Sequence, residues 1–321
     1  MLRFVPTAGE VLAIESMLPW VDDLVREGLG GEFGEAPSDE PTLEVTIETD
    51  RRAFPTDGFE LVARGAWRRR GEVVLENVCT SGFDLHVADA ARPRLTYRWR
   101  PPRRERLAAA VLRSRFHLVA RAALLQYPAL WSASARGRAP LHASGCTVGE
   151  RSVLLVAHSG VGRSTLLLDA LAAGSRSTGD NLGVGDGERV WGMVEPLRVD
   201  SGGGRRMAHG RRERPFPNRV SGLVPEAIIV VERGVGDTRL EPRDGGASVV
   251  ALVSSTYAAG ELQRFWAFTA LLASGLGGRS AHPPVEEVAR RFAADLPSYT
   301  LSIGRTRPNL AHMLDHAEVP A

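Results

Sequence analysis

The sequence contains no lysine, so all 40 of its basic residues are arginines. With 38 acidic residues the formal net charge at pH 7 is +2, and no overall field draws the chain to nucleic acid or to a membrane surface. Cys79 and Cys146 are the only cysteines, too few for a disulfide framework or a four-cysteine metal site. No uncharged apolar run is long enough for a membrane span. These absences predict a globular, cytoplasmic protein.

Arginine clusters, among them 68-RRR-70 and 98-RWRPPRRER-106, raise the hypothesis of nucleic-acid binding. Acidic residues elsewhere balance them, and no RNA- or DNA-binding motif accompanies them. We interpret them as solvated arginines and expect neither nucleic acid nor a membrane as a partner. Because lysine is missing from the whole chain, arginine at one site is not by itself a sign of lost function.

The first part of the chain is predicted to be rich in β-strands. Residues 8–29 predict one amphipathic helix, and 30–41 predict a linker. Short runs of alternating apolar residues, separated by turn residues, then predict an antiparallel meander. These runs are 43–49, 59–67, 72–78, 83–89 and 94–99. Strong helix formers with helical periodicity occupy residues 104–127. We therefore predict an N-terminal helix within residues 1–30 and a β-rich module with a connecting helix within residues 31–135.

After Pro140 the pattern becomes that of an α/β domain, which we predict over residues 136–321. The continuous apolar run 152–157 predicts a strand that is covered on both faces of its sheet. Further predicted elements are strands at 226–232 and 298–304 and helices at 259–275 and 284–296.

The glycine- and arginine-rich segment 201–218 has too little apolar content to pack, which predicts a mobile loop. Such a loop is either a lid that recognises an anionic or peptidic acceptor or a disordered linker. The sequence alone leaves both interpretations open.

The stretch 154-LLVAHSGVGRSTLLLDAL-171 runs from an apolar strand through a glycine-bearing turn into an apolar helix. Such a turn points several backbone N–H groups at one spot, where the helix dipole adds positive charge, so it binds an anion. It is close to the phosphate-binding pattern G-x-x-x-x-G-K-[ST], from which Ala157 and Arg163 depart. On this pattern Arg163 lies against the β- and γ-phosphates and the Ser164 hydroxyl helps to hold Mg²⁺. The predicted phosphate-binding residues are His158, Ser159, Gly160, Val161, Gly162, Arg163, Ser164 and Thr165.

Two further stretches flank this motif. The stretch 141-LHASG-145 precedes the strand, and 174-GSRSTGDNLGV-184 follows the helix. In this order the three stretches resemble the HPr kinase/phosphorylase family and its HPr-kinase-like relatives, over roughly residues 136–304. The resemblance implies a P-loop domain related to the phosphoenolpyruvate carboxykinase fold. It also implies transfer of the γ-phosphoryl group of ATP or GTP, with Mg²⁺, to a hydroxyl.

The resemblance also implies roles for single residues. Asp180 takes the position of the general base, and Asn181 takes that of a second acid, which touches the metal. Shifting the alignment by one residue places Gly179 and Asp180 on this pair, which leaves one acid in either case. His142 is implied to lie beside Asp180 and to orient it, and a histidine satisfied in the core is the alternative. Arg163 completes the predicted catalytic set.

Three weaker candidates follow along the chain. Glu195 loosely resembles an acidic residue that the family has after its acidic pair. Arg198 or Arg219 is a candidate clamp on the transferring phosphate.

We expect an ATP- and Mg²⁺-dependent phosphotransferase that acts on a hydroxyl of a peptide or small metabolite. The alternative is a nucleotide-binding regulatory or scaffold protein of the same fold without transfer activity. The position of Asp180 discriminates between them, because a carboxylate facing the γ-phosphate favours the enzyme and one buried in the core favours the scaffold. The sequence leaves open whether the chain forms a homo-oligomer.

Overall fold

The computed structural model of the protein describes residues 2–29, 40–89, 92–277, 280–306 and 309–317. Apart from residues 40 and 41, the predicted linker 30–41 lies outside these ranges. The described chain is a mixed α/β structure. Its strands are β1 (Leu2–Thr7), β2 (Glu10–Ser16), β3 (Leu43–Glu48), β4 (Glu60–Ala63), β5 (Ala66–Arg69), β6 (Glu72–Leu75), β7 (Phe83–Ala88), β8 (Arg94–Trp99), β9 (Ala139–Leu141), β10 (Ala143–Val148), β11 (Arg151–Val156), β12 (Gly183–Gly185), β13 (Val190–Gly192), β14 (Leu197–Val199), β15 (Arg205–Arg206), β16 (Arg212–Arg214), β17 (Gly222–Leu223), β18 (Ala227–Arg233), β19 (Arg239–Pro242) and β20 (Ser298–Ile303). Its α-helices are α1 (Pro19–Leu29), α2 (Arg103–Val111), α3 (Arg113–Arg121), α4 (Tyr127–Ser134), α5 (Arg163–Ala172), α6 (Gly245–Ala258), α7 (Gln263–Ala273), α8 (Val285–Asp295) and α9 (Leu310–Asp315).

The largest sheet has the strand order β1-β2-β3-β8-β7-β6-β5-β4. Each predicted run contains a strand, but the run 59–67 divides into β4 and β5, and Gly65 between them has a φ of 76°. The predicted meander is antiparallel only from β8 to β4, because β3 pairs in parallel with both β2 and β8. Strand β3 therefore lies between β2, which precedes the predicted meander, and β8, which is its last strand.

The prediction of one helix over residues 8–29 is wrong. Ala8 and Gly9 have φ values of 59° and 72° and form the two-residue turn between the antiparallel strands β1 and β2. Turns with positive φ at both positions match the twist of paired strands. Helix α1 begins only at Pro19, a residue type favoured in the first helical turn. The chain therefore begins as part of the largest sheet and not as a helical unit.

The predicted helix over 104–127 is confirmed, but it is longer and is not continuous. Helices α2 and α3 are separated at Leu112, and a π turn over Ala122–Gln126 connects α3 to α4. In this turn the Tyr127 N–H donates to the Ala122 carbonyl, five residues earlier.

The core of the largest sheet crosses the predicted boundary at residue 136. Leu85 and Tyr97 of the sheet belong to the same buried cluster as Met193, Val194 and Phe265. The apolar core is thus shared by residues on both sides of the boundary, and the division into 31–135 and 136–321 stays a prediction.

A second sheet, ordered β10-β11-β18-β20-β19, has the parallel neighbours β11, β18 and β20 at its centre. As predicted, it is apolar on both faces. Val153 and Leu155 pack with α5 and α9, whereas Leu154 and Val156 pack with α6 and α8. This two-sided burial fixes β11, and therefore the turn that follows it.

Helix α6 is absent from the sequence-based predictions. Its glycines and β-branched residues have low helix propensity. Asp244 caps the helix by accepting a hydrogen bond from the Ala247 N–H at 2.8 Å. Ala251 and Leu252 are buried against α8. Tertiary packing and a cap, which propensity does not register, stabilise this helix.

The segment 201–218 packs against the protein, so the prediction of a loop with too little apolar content to pack is wrong. It contains β15 and β16, which form a small sheet with β14. Met207 and Phe216 are buried. Glu213 is also buried, and its Oε1 lies 2.6 Å from Nη2 of Arg121 in α3. Two apolar anchors and a buried ion pair therefore hold the segment.

No helix in the described ranges is both long enough and apolar enough to cross a bilayer.

Gly192 in β13 lies against the backbone of Thr178, in the segment that leads to Asp180. A Cβ at Gly192 would lie 1.9 Å from the Thr178 carbonyl oxygen. We expect Gly192→Ala to lower the free energy of unfolding by about 3 kcal/mol, because the packed backbone must shift. Urea unfolding followed by circular dichroism measures this change.

The matched control is Gly260→Ala, where a Cβ meets no atom within 4 Å. Its free energy of unfolding should stay within about 0.5 kcal/mol of the parent value. Equal stabilities of the two variants would show that the close approach at Gly192 is not real.

Candidate functional site

The turn between β11 and α5 has the predicted strand–turn–helix form. Strand β11 ends at Val156, and α5 begins at Arg163. Gly160 and Gly162 have φ values of 82° and 126°, a region that favours glycine. A Cβ at Gly160 would meet no atom within 4 Å, so this side of the turn faces open space.

The backbone N–H groups from Ser159 to Ser164 have no acceptor among the described residues. The next two amides, of Thr165 and Leu166, already donate to the Gly162 carbonyl at 3.1 Å. The free amides precede and open a helix of ten residues, whose dipole places positive charge at the same point. The turn is therefore built to attract an anion.

The Arg163 side chain folds back under the turn and is only 6% exposed. Its Nη1 donates to the His142 carbonyl at 2.7 Å, and its Nη2 lies 3.1 Å from His142 Nε2. Nη2 also donates to both the backbone oxygen and the Oδ1 of Asn181, each at 3.2 Å. Burial lowers the pKa of Arg163.

None of the described carboxylates lies within ion-pair distance of Arg163. Asp180, Glu195 and Glu261 act to raise the pKa of Arg163 without contacting it, and they offset only part of the cost of burying the guanidinium. Because the Arg163 N–H is itself one of the free amides, an anion bound at the turn would offset the rest of this cost and would accept hydrogen bonds from the amides.

The resemblance implies that His142 lies beside Asp180 and orients it, but among the described residues the imidazole contacts the neighbouring Asn181, and no hydrogen bond joins it to Asp180. His142 is 2% exposed, and its Nε2 is 3.3 Å from Asn181 Oδ1. Burial and the charge of Arg163 lower the pKa of His142 to about 3. The imidazole is therefore neutral at physiological pH, and it holds Arg163 and Asn181 in place rather than contributing a charge.

A cavity of about 330 Å³ lies beside the turn. All predicted phosphate-binding residues line it except Val161, which packs against the apolar cluster around α5. The candidates His142, Asn181 and Arg198 also line it. Seven of the eight predicted phosphate-binding residues therefore line one cavity, together with residues that were not predicted from the sequence.

Asp180 does not line this cavity. It is 1% exposed, and its Oδ2 accepts a hydrogen bond from the Arg198 N–H at 3.3 Å. Its Oδ1 is buried without a hydrogen-bond partner among the described residues. The Ser144 hydroxyl donates to the Asp180 carbonyl and fixes the backbone. The carboxylate predicted to face the phosphate therefore lies behind the cavity wall, and this is the position that favours nucleotide binding without transfer.

Glu195 also lies behind the wall. Its Oε1 accepts hydrogen bonds from the N–H groups of Asn181 and Leu182, at 2.7 and 3.1 Å. Burial raises its pKa. Glu195 therefore shapes the backbone of the Asp180-Asn181 element.

The two candidate arginine clamps have different positions. Arg198 lines the cavity and forms an ion pair with Glu261. Burial acts to raise the pKa of Glu261, but Arg198 lowers it to about 2, so Glu261 is ionised.

Arg219 is away from the cavity and donates to the carbonyls of Gly28 and Met193. Burial lowers its pKa to about 10. The prediction of Arg219 as a phosphate clamp is therefore corrected. Its guanidinium binds one backbone carbonyl of α1 and one of the segment after β13, and it connects these two parts of the chain.

Six buried polar atoms without hydrogen-bond partners among the described residues lie in the cavity wall or directly behind it: His142 Nδ1, Arg163 Nε, Asp180 Oδ1, Asn181 Nδ2, Glu195 Oε2 and Arg198 Nε. Other such atoms lie elsewhere in the protein, among them Nε1 of Trp99 and of Trp266. Native structures leave few such atoms unpaired, and each calls for an explanation. A cluster in one place indicates a site for a polar ligand.

The cavity wall also contains residues that the sequence analysis did not single out. They are Asp200, His209, Arg211, Arg233 and Glu261. For Arg233 a signal existed, because it ends β18, the parallel neighbour of β11, and parallel strands end at the same edge. Its Nη2 donates to the Gly160 carbonyl at 3.2 Å. The other four residues line the cavity only because the segment around 200–218 and the turn before α7 pack beside it.

The predicted metal ligands are not equally available. Ser164 lines the cavity. The Asn181 Oδ1 already accepts a hydrogen bond from Arg163, whose positive charge opposes a cation at that oxygen. Among the described residues, no group of three or more His, Cys, Asp or Glu side chains could hold a metal ion.

No protein-family model matches this chain, and no curated protein is significantly similar to it. The family resemblance of the three motifs therefore stays a prediction.

We expect the His142 imidazole to stay neutral from about pH 5 to 8, since its pKa is lowered to about 3. With ¹³C-labelled histidine, one set of imidazole resonances should not move in this range, and His142→Gln should remove that set. Because the folded pKa is the lower one, unfolding takes up a proton between about pH 3 and about 6.5. His142 therefore makes the fold less stable as pH falls through that window. A midpoint above pH 5 for the His142 resonances would contradict its burial.

Proposed function

We propose that this chain binds a nucleoside triphosphate, ATP or GTP, at the turn 158–165 and transfers its γ-phosphoryl group to a hydroxyl. Two observations together carry the proposal. The backbone amides from Ser159 to Ser164 have no acceptor among the described residues, and no described carboxylate contacts the buried guanidinium of Arg163. Both features favour a ligand with several negative charges at one place, which a triphosphate provides.

The charge of the cavity wall supports the same ligand. Arg198, Arg211 and Arg233 line it in addition to Arg163. The acidic residues of the wall are Asp200, which pairs with Arg211, and Glu261, which pairs with Arg198. Arg163 and Arg233 are left with no carboxylate contact in the described chain. A wall with this excess of positive charge attracts a polyanion.

We further infer that residues 136–304 form an HPr-kinase-like P-loop domain. The resemblance implies that His142, in 141-LHASG-145, lies beside Asp180, the residue before Asn181. The contacts of His142 with Asn181 and with Arg163 support this inference. Arg163 would then differ from the lysine of the usual pattern, because its guanidinium reaches sideways to these residues as a planar fork.

Magnesium fits this site mainly through the nucleotide. Mg²⁺ is commonly held by one or two protein oxygens together with substrate phosphates. The Ser164 hydroxyl is the predicted ligand that faces the cavity, and Asn181 does not fit, because its oxygen faces Arg163. When bound, the metal would neutralise charge on the phosphates.

For the transfer step, Glu261 takes the role that the family resemblance implied for Asp180. It is ionised and lines the cavity, whereas Asp180 lies behind the wall. A carboxylate at this position would accept a hydrogen bond from the attacking hydroxyl and orient it. Since positioning and electrostatics supply most of the catalysis in phosphoryl transfer, a weakly basic carboxylate is sufficient.

A second candidate function is nucleotide binding without transfer, in a regulatory or scaffold protein. The burial of Asp180 and the ion pair that engages Glu261 favour it. In that case the bound nucleotide would stabilise the fold around Arg163, and its γ-phosphoryl group would not be transferred.

We expect ATP with Mg²⁺ to raise the melting temperature of the protein by several degrees, and ATP alone to raise it less. At a hundredfold excess over its Kd, a ligand adds about 2.7 kcal/mol of stability. Arg163→Ala should abolish the increase, because the charge beneath the amides is lost. Differential scanning fluorimetry measures these changes.

The matched control is Arg176→Ala, an exposed arginine that does not line the cavity. It should keep the full increase. The nucleotide site is refuted if ATP has no effect on the parent protein, or if Arg163→Ala responds as the control does.

Transfer is tested by the rate of ADP formation with a hydroxyl acceptor present. We expect Glu261→Gln to lower kcat by about a hundredfold with little effect on the ATP-induced increase in melting temperature, since it removes a charge that orients the hydroxyl. Asp180→Asn should retain more activity than Glu261→Gln. The reverse order of activities would assign the carboxylate role to Asp180. If the parent protein and all variants form no ADP, the result favours nucleotide binding without transfer.

A further inference from the structure

A second cavity, of about 360 Å³, adjoins the cavity beside the turn 158–165, which is called the phosphate cavity below. Arg198, His209 and Glu261 line both cavities and form their common wall. The volume lies within the usual range of small-molecule sites. Any group bound in the second cavity at this wall is therefore next to the phosphate site.

The remaining wall of the second cavity is largely apolar. Leu118, Val119, Tyr127 and the thiol of Cys79 contribute to it. Burial raises the pKa of Cys79 to about 12, so the thiol is uncharged. These side chains suit a ligand with a hydrocarbon or aromatic body.

Two arginines of the same wall have no ion-pair partner among the described residues. Arg115 on α3 and Arg264 on α7 are exposed, and neither has an ion pair with a described residue. By contrast, Arg121 and Arg198 in the same wall are paired with Glu213 and Glu261. The free positive charge of the second cavity therefore comes from Arg115 and Arg264, and it is complementary to an anionic group.

The elements around the common wall are held in place. The Tyr127 hydroxyl donates to the Glu261 carbonyl at 2.8 Å, at the end of the π turn. His209 is placed by the hairpin 205–214, which the Arg121–Glu213 ion pair fixes to α3. Groups in fixed positions on both sides of the wall are what a transfer between two sites requires.

Resting on the phosphotransfer proposed above, we propose that the second cavity binds the acceptor, a small, partly apolar hydroxy acid. Its anionic group pairs with Arg115 and Arg264, and its hydroxyl lies at the wall of Arg198, His209 and Glu261. In the transfer, the hydroxyl oxygen forms a bond to the γ-phosphorus, and the bond from that phosphorus to the β,γ-bridging oxygen breaks. The nucleoside diphosphate leaves with the electron pair of that bond, and the hydroxyl proton passes to Glu261 and then to water.

The probes are 8-hydroxyoctanoate, octanoate and 1,8-octanediol, flexible molecules that combine the hydroxyl and the carboxylate differently. Isothermal titration calorimetry should detect binding of both acids, and binding of the diol at least tenfold weaker. The double variant Arg115→Ala/Arg264→Ala should weaken binding of both acids at least tenfold. Arg113→Ala, an exposed arginine on the same helix that does not line the cavity, is the control and should bind as the parent does.

A second variant tests the location independently of charge. Ala208 is exposed and lines the second cavity, so Ala208→Trp should fill part of it and weaken binding of the acids without disturbing the core. In the presence of ATP and Mg²⁺, 8-hydroxyoctanoate should increase ADP formation and octanoate should not. Equal ADP formation with the two acids would overturn the role as acceptor.

The increase in melting temperature by ATP and Mg²⁺ is measured in the same preparations. If this increase is present and neither acid binds, the second cavity is not the acceptor site, and the proposed nucleotide site stands. The same holds if the acids bind equally to the parent and to the double variant. If the increase is absent, the proposed function fails and the acceptor assignment fails with it.

Discussion

The buried guanidinium of Arg163 is the interaction on which the arrangement of the site depends. It joins three separate pieces of chain: the start of α5, the histidine between β9 and β10, and the Asp180-Asn181 element. Its planar fork of donors satisfies several acceptors at once, which a lysine in this position would not do. Its charge has no carboxylate in contact among the described residues. One residue therefore fixes the geometry of the loop and, under the proposed function, would also favour a negatively charged ligand.

The sequence predicted well those features that are encoded locally. The strand β11, the glycine turn and α5 follow from a continuous apolar run, from residues that tolerate positive φ and from an apolar helix, all within one stretch of chain. The family resemblance implied a position of His142 beside Asp180, and the imidazole contacts the next residue, Asn181. Arg233 was predictable in principle, because parallel neighbours such as β11 and β18 end at the same edge.

Features that depend on distant contacts were not predictable in this way. The apolar residues of β2 also fit the pattern of an amphipathic helix. Pairing of β2 with the distant strand β3 makes this segment a strand. The segment 201–218 is polar in composition, but Glu213 finds Arg121 far away in sequence. Tertiary packing also decides which carboxylates line the cavity. It places Asp180 behind the cavity wall and Glu261 in the wall. Motif spacing carries no information on this placement.

The π turn Ala122–Gln126 has a consequence for how the chain can vary in length. In an α-helix, residues five positions apart point about 140° away from each other. In a π turn, where hydrogen bonds join residues five apart, they come to the same side. Arg121 and Gln126 use this: Arg121 reaches Glu213, and the Gln126 amide donates to the Val194 carbonyl at 2.9 Å. Removing one residue here would restore an ordinary helix and turn one of the two anchors away, so chain length is fixed at this point, whereas exposed loops tolerate insertions and deletions.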